Sequence, residues 1–181
     1  MVPRSRLVPP LVVLVALVVV TAATESWRRA RPSPPAASAD SLKPYPIEPF
    51  AATDLDGRDV GTSTWAGRVV VVNFWATWCA PCRREIPALS TLQDSYADRV
   101  LVLGVLDDNV TDDFARRFAT SVGLRYPIVR TSFDVESRFP YIAVLPMTFI
   151  IDQQGRLVHM YAGEIDPPLV ERVIRHLLGD A

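Results

Sequence analysis

Short apolar runs, rich in β-branched residues, are the clearest pattern along this chain. Residues 68–75, RVVVVNFW, and residues 100–106, VLVLGVL, are almost wholly apolar. Runs of this kind predict strands that are covered on both faces, as at the centre of an α/β sheet. YPIV at 126–129 predicts a shorter strand. MTFIID at 147–152 predicts a longer one, paired antiparallel with RLVHMYAG at 156–163 across the turn QQG.

Apolar positions at helical spacing predict three helices between and after these strands. The first carries apolar residues three or four positions apart across 86–92. The second is expected to begin at Asn109 or Thr111, because both residue types cap helices well. The face that this helix is expected to bury consists of Phe114, Phe118 and Val122. The last helix runs from a cap at Asp166 to a stop at Gly179.

A hairpin is expected before the first buried strand. FAATDLDGRDVG at 50–61 alternates weakly around Asp56-Gly57, a dipeptide that favours a tight hairpin turn. The order of elements is then β-hairpin, βαβ, αβ, β-hairpin and α. This order predicts an α/β fold with helices on both faces of a mixed sheet.

The first 45 residues follow a different pattern. Residues 7–23 form a charge-free apolar stretch that is just long enough to cross a bilayer. This stretch predicts a signal anchor over residues 1–24, with a cleaved signal peptide as the alternative. Residues 25–45 are rich in Pro, Ala and Ser, which is typical of a tether. We therefore expect residues 46–181 to form one domain, held at the cell membrane.

Charge narrows the classes of partner. The chain has 181 residues and a formal net charge of −1. From residue 46 onward, thirteen basic and eighteen acidic side chains remain, for a net charge of −5. No basic stripe is left to suggest a nucleic-acid partner.

The two cysteines of the chain lie in NFWATWCAPC at 73–82, between the first buried strand and the first helix. A structural zinc site needs four ligands, and His159 and His176 have no ligand spacing to each other. A purely structural disulfide across four residues would remove little entropy from the unfolded chain. Redox chemistry is the favoured interpretation of the pair.

The position of the pair supports redox chemistry. Cys79 is expected at the start of a helix, where unpaired backbone N–H groups and the helix dipole stabilise a thiolate. It is therefore the expected nucleophile, and Cys82, one turn later, is the expected resolving thiol. Pro81 suits the first turn of that helix.

VVNFWATWCAPCRREIP at 71–87 resembles the thioredoxin superfamily, and within it the TlpA/ResA-like (CcmG-like) branch of membrane-anchored thiol-disulfide oxidoreductases. Residues 52–79 resemble the N-terminal hairpin and first core strand of that branch, and residues 145–163 resemble its C-terminal hairpin. The resemblance implies a thioredoxin-like fold, with a central mixed sheet flanked by helices and an added N-terminal β-hairpin.

The resemblance also implies roles for residues around the cysteines. Pro146 matches the cis-proline that faces the disulfide in this fold, and Leu145 would offer its backbone groups to an extended substrate. Trp78 matches an exposed tryptophan that shapes the docking surface. Trp75 is expected in the core instead.

A proton-relay acid is less clearly marked. Asn73 stands where many thioredoxins carry a buried acid, and an amide cannot accept a proton from Cys82. Members of the branch can use an acid from the loop after the next strand, which makes Asp107 and Asp108 the candidates. Helix capping and solvated loop charge are the alternative interpretations of both. Phe139 and Tyr141 are expected either to line a substrate groove or to pack beneath it.

The favoured function is therefore an extracytoplasmic thiol-disulfide oxidoreductase that reduces disulfides of client proteins. The resemblance names apocytochrome c as one client and implies recharging by a membrane-borne thiol reductant. No cofactor beyond the dithiol and no metal is expected. A tethered Cu(I) metallochaperone, with Met147 as a third ligand beside the two cysteines, is the alternative from another class. A peroxidase of the peroxiredoxin type is a third possibility.

Overall fold

Six strands form one sheet in a computed structural model that describes residues 40–140 and 142–180. The strands are β1 (Asp40–Pro46), β2 (Val69–Trp75), β3 (Val100–Leu106), β4 (Ile128–Arg130), β5 (Met147–Ile151) and β6 (Arg156–Ala162). They lie in the order β1-β6-β5-β2-β3-β4. Strand β2 is parallel to β3 and antiparallel to β5, and β3 is parallel to β4. The predicted mixed sheet and α/β fold are confirmed.

The helices are α1 (Ala80–Ser95), α2 (Asp112–Ser121), α3 (Phe133–Glu136) and α4 (Pro167–Leu178), with a 3-10 turn at Thr62–Thr64. Every residue of β2 and β3 is buried, as the continuous apolar runs predicted. Side chains of β2 alternate between two clusters. Val69 and Val71 pack with α1 and α4, whereas Val70 and Phe74 pack with the N-terminal loop and α3. The sheet is thus covered on both faces.

The ends of four strands meet at one edge of the sheet. Trp75 at the end of β2 lies opposite Leu106, and Leu106 lies opposite Arg130 at the end of β4. Strand β5 runs the other way, so its first residue, Met147, lies opposite Phe74. We call this the C-terminal edge and the opposite one the far edge. Loops that leave these four strands at the C-terminal edge are brought together there.

The prediction that residues 50–61 form two paired strands is wrong. The turn forms around Gly57, which has φ of 84°, but its flanks contribute only one isolated bridge, Thr53 to Asp59. Backbone bonds still join the flanks, from the Val60 N–H to Ala52 at 2.8 Å and from the Thr62 N–H to Phe50 at 3.1 Å. The Phe50 N–H bonds instead to the Thr62 side-chain hydroxyl, at 3.0 Å. The implied N-terminal β-hairpin is therefore a bonded loop.

The face predicted for α2 is also partly wrong. Thr111 caps the helix as expected, accepting the Phe114 N–H at 3.3 Å, but the Phe114 side chain is exposed. The buried positions are Ala115 and Ala119. Small residues there allow the helix to lie close to the sheet, and Phe118 covers Trp75 with its ring stacked 6.0 Å away.

Strand β1 was not predicted. All of it but Pro46 lies in residues 25–45, which the sequence assigns to a tether, and it pairs antiparallel with β6. The rest of the expected tether and the apolar stretch at 7–23 lie outside the described residues. Within 40–140 and 142–180, none of the helices has the length and apolar character needed to cross a bilayer.

Two turns share the pattern Asp-x-x-Gly-Arg and the same bonds. They are DLDGR at 54–58 and DQQGR at 152–156. In each, the aspartate Oδ1 accepts the backbone N–H groups two and four positions later, at 2.8–3.0 Å. The other oxygen accepts from the arginine Nε at 2.8 Å. The same set of hydrogen bonds thus closes both the turn at 54–58 and the β5–β6 hairpin.

Candidate active site

A disulfide joins Cys79 and Cys82 at the C-terminal edge, with the two Cα atoms 5.3 Å apart. Cys79 is the N-cap of α1, and its Sγ accepts the Cys82 N–H at 3.3 Å. Pro81 lies in the first turn, as expected, where its missing N–H costs nothing. A sulfur held against helix amides is the arrangement that favours a thiolate once the pair is reduced.

The two sulfurs differ in access. Cys79 is 4% exposed and Cys82 is fully buried in an apolar cluster that includes Trp75, Ile86 and Leu106. An incoming disulfide therefore reaches the residue at position 79 first. The buried thiol is placed to act second, from within the fold.

Residues before β5 face the same site. The Leu145–Pro146 peptide bond is cis, as the resemblance implied. Leu145 packs against the cluster that holds both cysteines. The Pro146 carbonyl accepts the Gly163 N–H at 2.9 Å, which ties this segment to the end of β6.

The two tryptophans take the places expected of them. Trp75 is fully buried, and Trp78, one residue before the nucleophile, is 68% exposed. Trp78 is thus available to a docking partner. Phe139 is buried with Phe74 and Phe149, beneath the surface. Tyr141 lies outside the described residues.

The two loop acids after β3 play different parts. Asp108 Oδ2 accepts both the backbone N–H and the hydroxyl of Thr77, so it fastens the loop that leads into Cys79. Asp107 is exposed. Although its side chain reaches solvent, partial desolvation of the carboxyl group, followed by the charges of Glu136 and Asp108, raises the pKa of Asp107. A proton-relay role for either acid stays a prediction.

Glu85 is the site residue that the sequence analysis missed. Its side chain is buried in α1, three positions after Cys82 and so on the same face of the helix. Burial raises its pKa to about 7, although hydrogen bonds from the Ile165 N–H, at 3.2 Å, and the Asn73 amide, at 2.7 Å, oppose the rise. A buried carboxyl that titrates near neutrality beside a buried thiol can take up and return its proton.

Asn73 supports this acid from the centre of β2. Its Nδ2 donates to Glu85 and, at 3.0 Å, to the Thr148 hydroxyl. Its Oδ1 is buried without a partner among the described residues. Asn73, which stands where other thioredoxins have a buried acid, therefore binds the carboxyl group of Glu85 from helix α1.

One signal in the sequence points to Glu85. The buried residues of α1 include Cys82, Ile86 and Leu89, so position 85 falls on the apolar stripe. The preceding pair, Arg83 and Arg84, makes the local sequence resemble a solvated helix face instead. A charge on an apolar stripe, one turn from a cysteine, was the available clue.

The metal ligands considered from sequence are not assembled here. Among residues 40–140 and 142–180, no group of three or more His, Cys, Asp or Glu side chains is placed to hold a metal ion. Met147 packs with Phe74 and Phe149, in a cluster separate from the one that contains the cysteines.

Comparisons with known proteins agree with this geometry. The AhpC/TSA family matches residues 45–160. The thiol-disulfide oxidoreductase ResA of Bacillus anthracis is 31% identical over 64% of this chain and 66% of its own length. ResA of Geobacillus kaustophilus is 34% identical, over 68% of this chain and 71% of that protein. A thiol:disulfide interchange protein of Chlorobium tepidum superposes with a TM-score of 0.66 at 25% identity, covering 77% of this chain and 99% of the other.

Proposed function

The chain belongs to the AhpC/TSA family, and from this premise we propose that it is an extracytoplasmic thiol-disulfide oxidoreductase that reduces disulfides in client proteins. One observation carries the proposal. The capping sulfur of Cys79 lies against helix amides, and the buried Cys82 precedes a buried acid by one turn.

The first step joins enzyme and client. The Cys79 thiolate attacks one sulfur of a client disulfide, the client S–S bond breaks, and the released client sulfur leaves as a thiolate that takes a proton from solvent. A mixed disulfide between Cys79 and the client results. The Cys82 N–H, which bonds to Cys79 Sγ in the oxidised state, stabilises the attacking charge.

The second step frees the client. Cys82 gives its proton to the Glu85 carboxylate and attacks the Cys79 sulfur. The mixed disulfide breaks, the second client sulfur leaves and is protonated, and the Cys79–Cys82 disulfide forms. The client gains two electrons and the protein loses two. Because the pKa of Glu85 is about 7, the acid can accept this proton at neutral pH and later release it.

The resemblance to TlpA/ResA-like proteins supports the location and the redox direction that we propose. Residues 7–23 anchor the domain at the outer face of the cell membrane, and a membrane-borne dithiol returns two electrons to the disulfide. A reductant is favoured because clients in an oxidising compartment accumulate unwanted disulfides. Apocytochrome c is the client class suggested by the resemblance to TlpA/ResA-like proteins.

Trapping tests the client class. Cys82→Ser removes the resolving thiol, so clients should accumulate as mixed disulfides on Cys79 and be identifiable after purification from cells. Cys79→Ser is the matched control and should retain none. Enrichment of proteins with haem-binding Cys-x-x-Cys-His segments supports the cytochrome route. Equal recovery on both variants contradicts the proposed mechanism.

The reduction potential tests direction. The reduction potentials of thiol-disulfide proteins that act as reductants are about −270 mV, and those of strong oxidants are about −120 mV. Equilibration of the Cys79–Cys82 pair with glutathione buffers should give a value close to the first. A value close to the second would reverse the direction proposed here.

Cu(I) transfer is less well supported. Such a site would need a third soft ligand beside the cysteines, and Met147 packs in the other apolar cluster. Copper titration of the reduced protein should therefore give weak binding, and tight one-to-one binding with poor disulfide exchange would favour the chaperone.

A further inference from the structure

An ion pair lies beside the buried acid Glu85. Arg84 immediately precedes Glu85 in α1, and Glu164 immediately precedes Ile165, whose N–H donates to Glu85 Oε2 at 3.2 Å. The Arg84 Nε donates to both carboxylate oxygens of Glu164, at 3.0 and 3.1 Å, and its Nη2 donates to one of them at 2.6 Å. The ion pair thus joins the same two segments that the hydrogen bond between Glu85 and Ile165 joins.

The ion pair is more exposed than the acid. The side chains of Arg84 and Glu164 are 58% and 31% exposed, whereas Glu85 is buried. Exposed ion pairs add little to stability, because water competes for both charges. The effect of these two charges on Glu85 is therefore of more interest than their contribution to the stability of the fold.

The arginine next to Glu85 is arranged differently from those in the two Asp-x-x-Gly-Arg turns. In the turns at 54–58 and 152–156, the arginine Nε donates directly to the buried aspartate at 2.8 Å. Arg84 lies one position from Glu85 but donates to Glu164 instead. The hydrogen bonds that Glu85 accepts come from uncharged amide groups. Glu164 thus binds the cation that lies closest in sequence to the buried acid.

The two charges of the ion pair act on Glu85 in opposite directions. Burial is the main cause of the raised pKa of Glu85, and hydrogen bonds oppose it. After these effects, the negative charge of Glu164 raises this pKa and the positive charge of Arg84 lowers it. Two other titratable groups near Glu85 are uncharged at neutral pH in the oxidised protein. Cys82 is in the disulfide, and burial, followed by the charge of Glu85, raises the pKa of Tyr126.

We propose that Arg84 and Glu164 are positioning residues for proton transfer, with Glu164 holding the Arg84 guanidinium away from Glu85 so that the buried acid can take up and release the proton of Cys82 at neutral pH. This inference rests on the proposed function and adds the residues that leave Glu85 without a cationic partner. Without Glu164, Arg84 is free to stabilise the charged form of Glu85. Without Arg84, the unneutralised charge of Glu164 favours the protonated form.

Titration of Glu85 in the oxidised protein tests this inference without relying on catalysis. NMR follows the side-chain carboxyl carbons of ¹³C-labelled glutamate as pH changes, and the Glu85 signal is the one absent from Glu85→Gln. Glu164→Gln should lower the titration midpoint by roughly half a unit, and Arg84→Gln should raise it by a similar amount. Combining both changes should bring the midpoint back towards the wild-type value. A bridge that is only structural would respond in the same way to either change.

The pH dependence of the second catalytic step should follow this titration. Quenched flow measures release of the mixed disulfide formed with a synthetic peptide that is closed by one disulfide. The pH at which the release rate is half-maximal should shift in each variant in the same direction as the Glu85 midpoint. In about 1 M sodium chloride the shifts should become smaller, because salt screens exposed charges.

A second ion pair of the same kind provides the matched control. Arg99 donates to both carboxylate oxygens of Asp180, at 2.9 and 2.8 Å, and it lies at the far edge of the sheet, where β3 begins. The two side chains are exposed to a similar degree as those of Arg84 and Glu164. Arg99→Gln and Asp180→Asn should leave the titration of Glu85 and the release profile unchanged.

The outcomes separate the two proposals. Midpoints that move in the same direction in Arg84→Gln and Glu164→Gln, or that do not move, overturn the role of the ion pair while leaving disulfide exchange intact. Midpoints that move without any change in the release profile overturn it as well, because Glu85 would then not be the proton acceptor. Failure of the wild-type protein to form a mixed disulfide with the peptide overturns the proposed function itself.

Discussion

Buried carboxyl groups occur in two regions of this molecule, and their surroundings shift the pKa of Asp54 and the pKa of Glu85 in opposite directions. In the two Asp-x-x-Gly-Arg turns, Asp54 and Asp152 each accept two backbone N–H groups and an arginine. Burial alone would raise the pKa of Asp54, but hydrogen bonds from Arg58 and Asp56 hold it below its usual value. Glu85, under the disulfide, has only amide donors and a pKa of about 7.

This difference separates an acid that holds a fold from an acid that can do chemistry. A carboxylate that stays charged at every physiological pH is a fixed hydrogen-bond acceptor. A carboxyl group with a pKa near neutral pH gains and loses its proton readily. Burying its charged form lowers the stability of the folded protein. The turns and the active site therefore respond differently to the same change from acid to amide.

The largest expected difference is in how stability depends on pH. The pKa of Glu85 is about 7 in the folded chain and near 4.5 when unfolded, so the folded state binds more protons between these values. Its contribution to stability is therefore fully present below pH 4.5 and is lost as pH rises through 7, by about 3 kcal/mol in total. Glu85→Gln should remove this loss.

Urea unfolding of the oxidised protein at pH 5 and pH 8 measures this effect. The stability of Glu85→Gln relative to wild type should rise by about 2.5 kcal/mol between pH 5 and pH 8. Asp54→Asn is the control, because hydrogen bonds from Arg58 and Asp56 hold the pKa of Asp54 below its usual value. Parallel pH profiles for Glu85→Gln and wild type would mean that Glu85 does not titrate near neutrality.

The next difference is in catalysis. Removing a positioned proton acceptor costs on the order of a hundredfold in rate, so Glu85→Gln should slow release of the mixed disulfide by about that factor at pH 8. Formation of the mixed disulfide should change much less. Quenched-flow separation of the two steps checks this. If Asp54→Asn slows release as much, the effect comes from the fold rather than from the acid.

A third difference concerns the turns. Asp152→Asn leaves the Arg156 Nε and backbone N–H groups with a weaker acceptor, and should cost about 2 kcal/mol in the free energy of unfolding. Asp54→Asn should cost a similar amount, because its bonds are the same. The rate of exchange should not change in either variant. A cost near zero in both would show that these ion pairs are replaced by solvent.

The smallest expected effect is at Asp108, which tests positioning against proton relay. Asp108→Asn keeps an oxygen for the Thr77 N–H and should slow exchange no more than about threefold, while Asp108→Ala should slow it further. Neither change should alter the pH profile of exchange. A shift in the pH profile of the exchange rate in Asp108→Asn would mean that Asp108 relays protons.

Patterns that depend on neighbours in sequence were predicted well. The runs at 68–75 and 100–106 became the two buried central strands, because an apolar β-branched run has few other stable places. The thiol pair was also predicted correctly at the start of α1. The pair lies between the end of the strand pattern and the beginning of the helix pattern in the sequence.

Features that depend on distant partners were not predicted. Strand β1, DSLKPYP, has no alternation of its own and forms against the open side of β6. Glu85 directly follows two arginines in sequence, and only its hydrogen bonds with Asn73 and Ile165 in the fold reveal its burial. Phe114 was expected inside, yet the small residues Ala115 and Ala119 occupy the contact with the sheet.

Alkylation of the reduced protein with iodoacetamide, mapped by mass spectrometry as a function of pH, tests the central claim most directly. The account predicts that Cys79 is modified first, with an apparent thiol pKa below about 7.5, while Cys82 is protected in the folded chain. Equal modification of both cysteines, or an ordinary pKa near about 8.5 at Cys79, would contradict it.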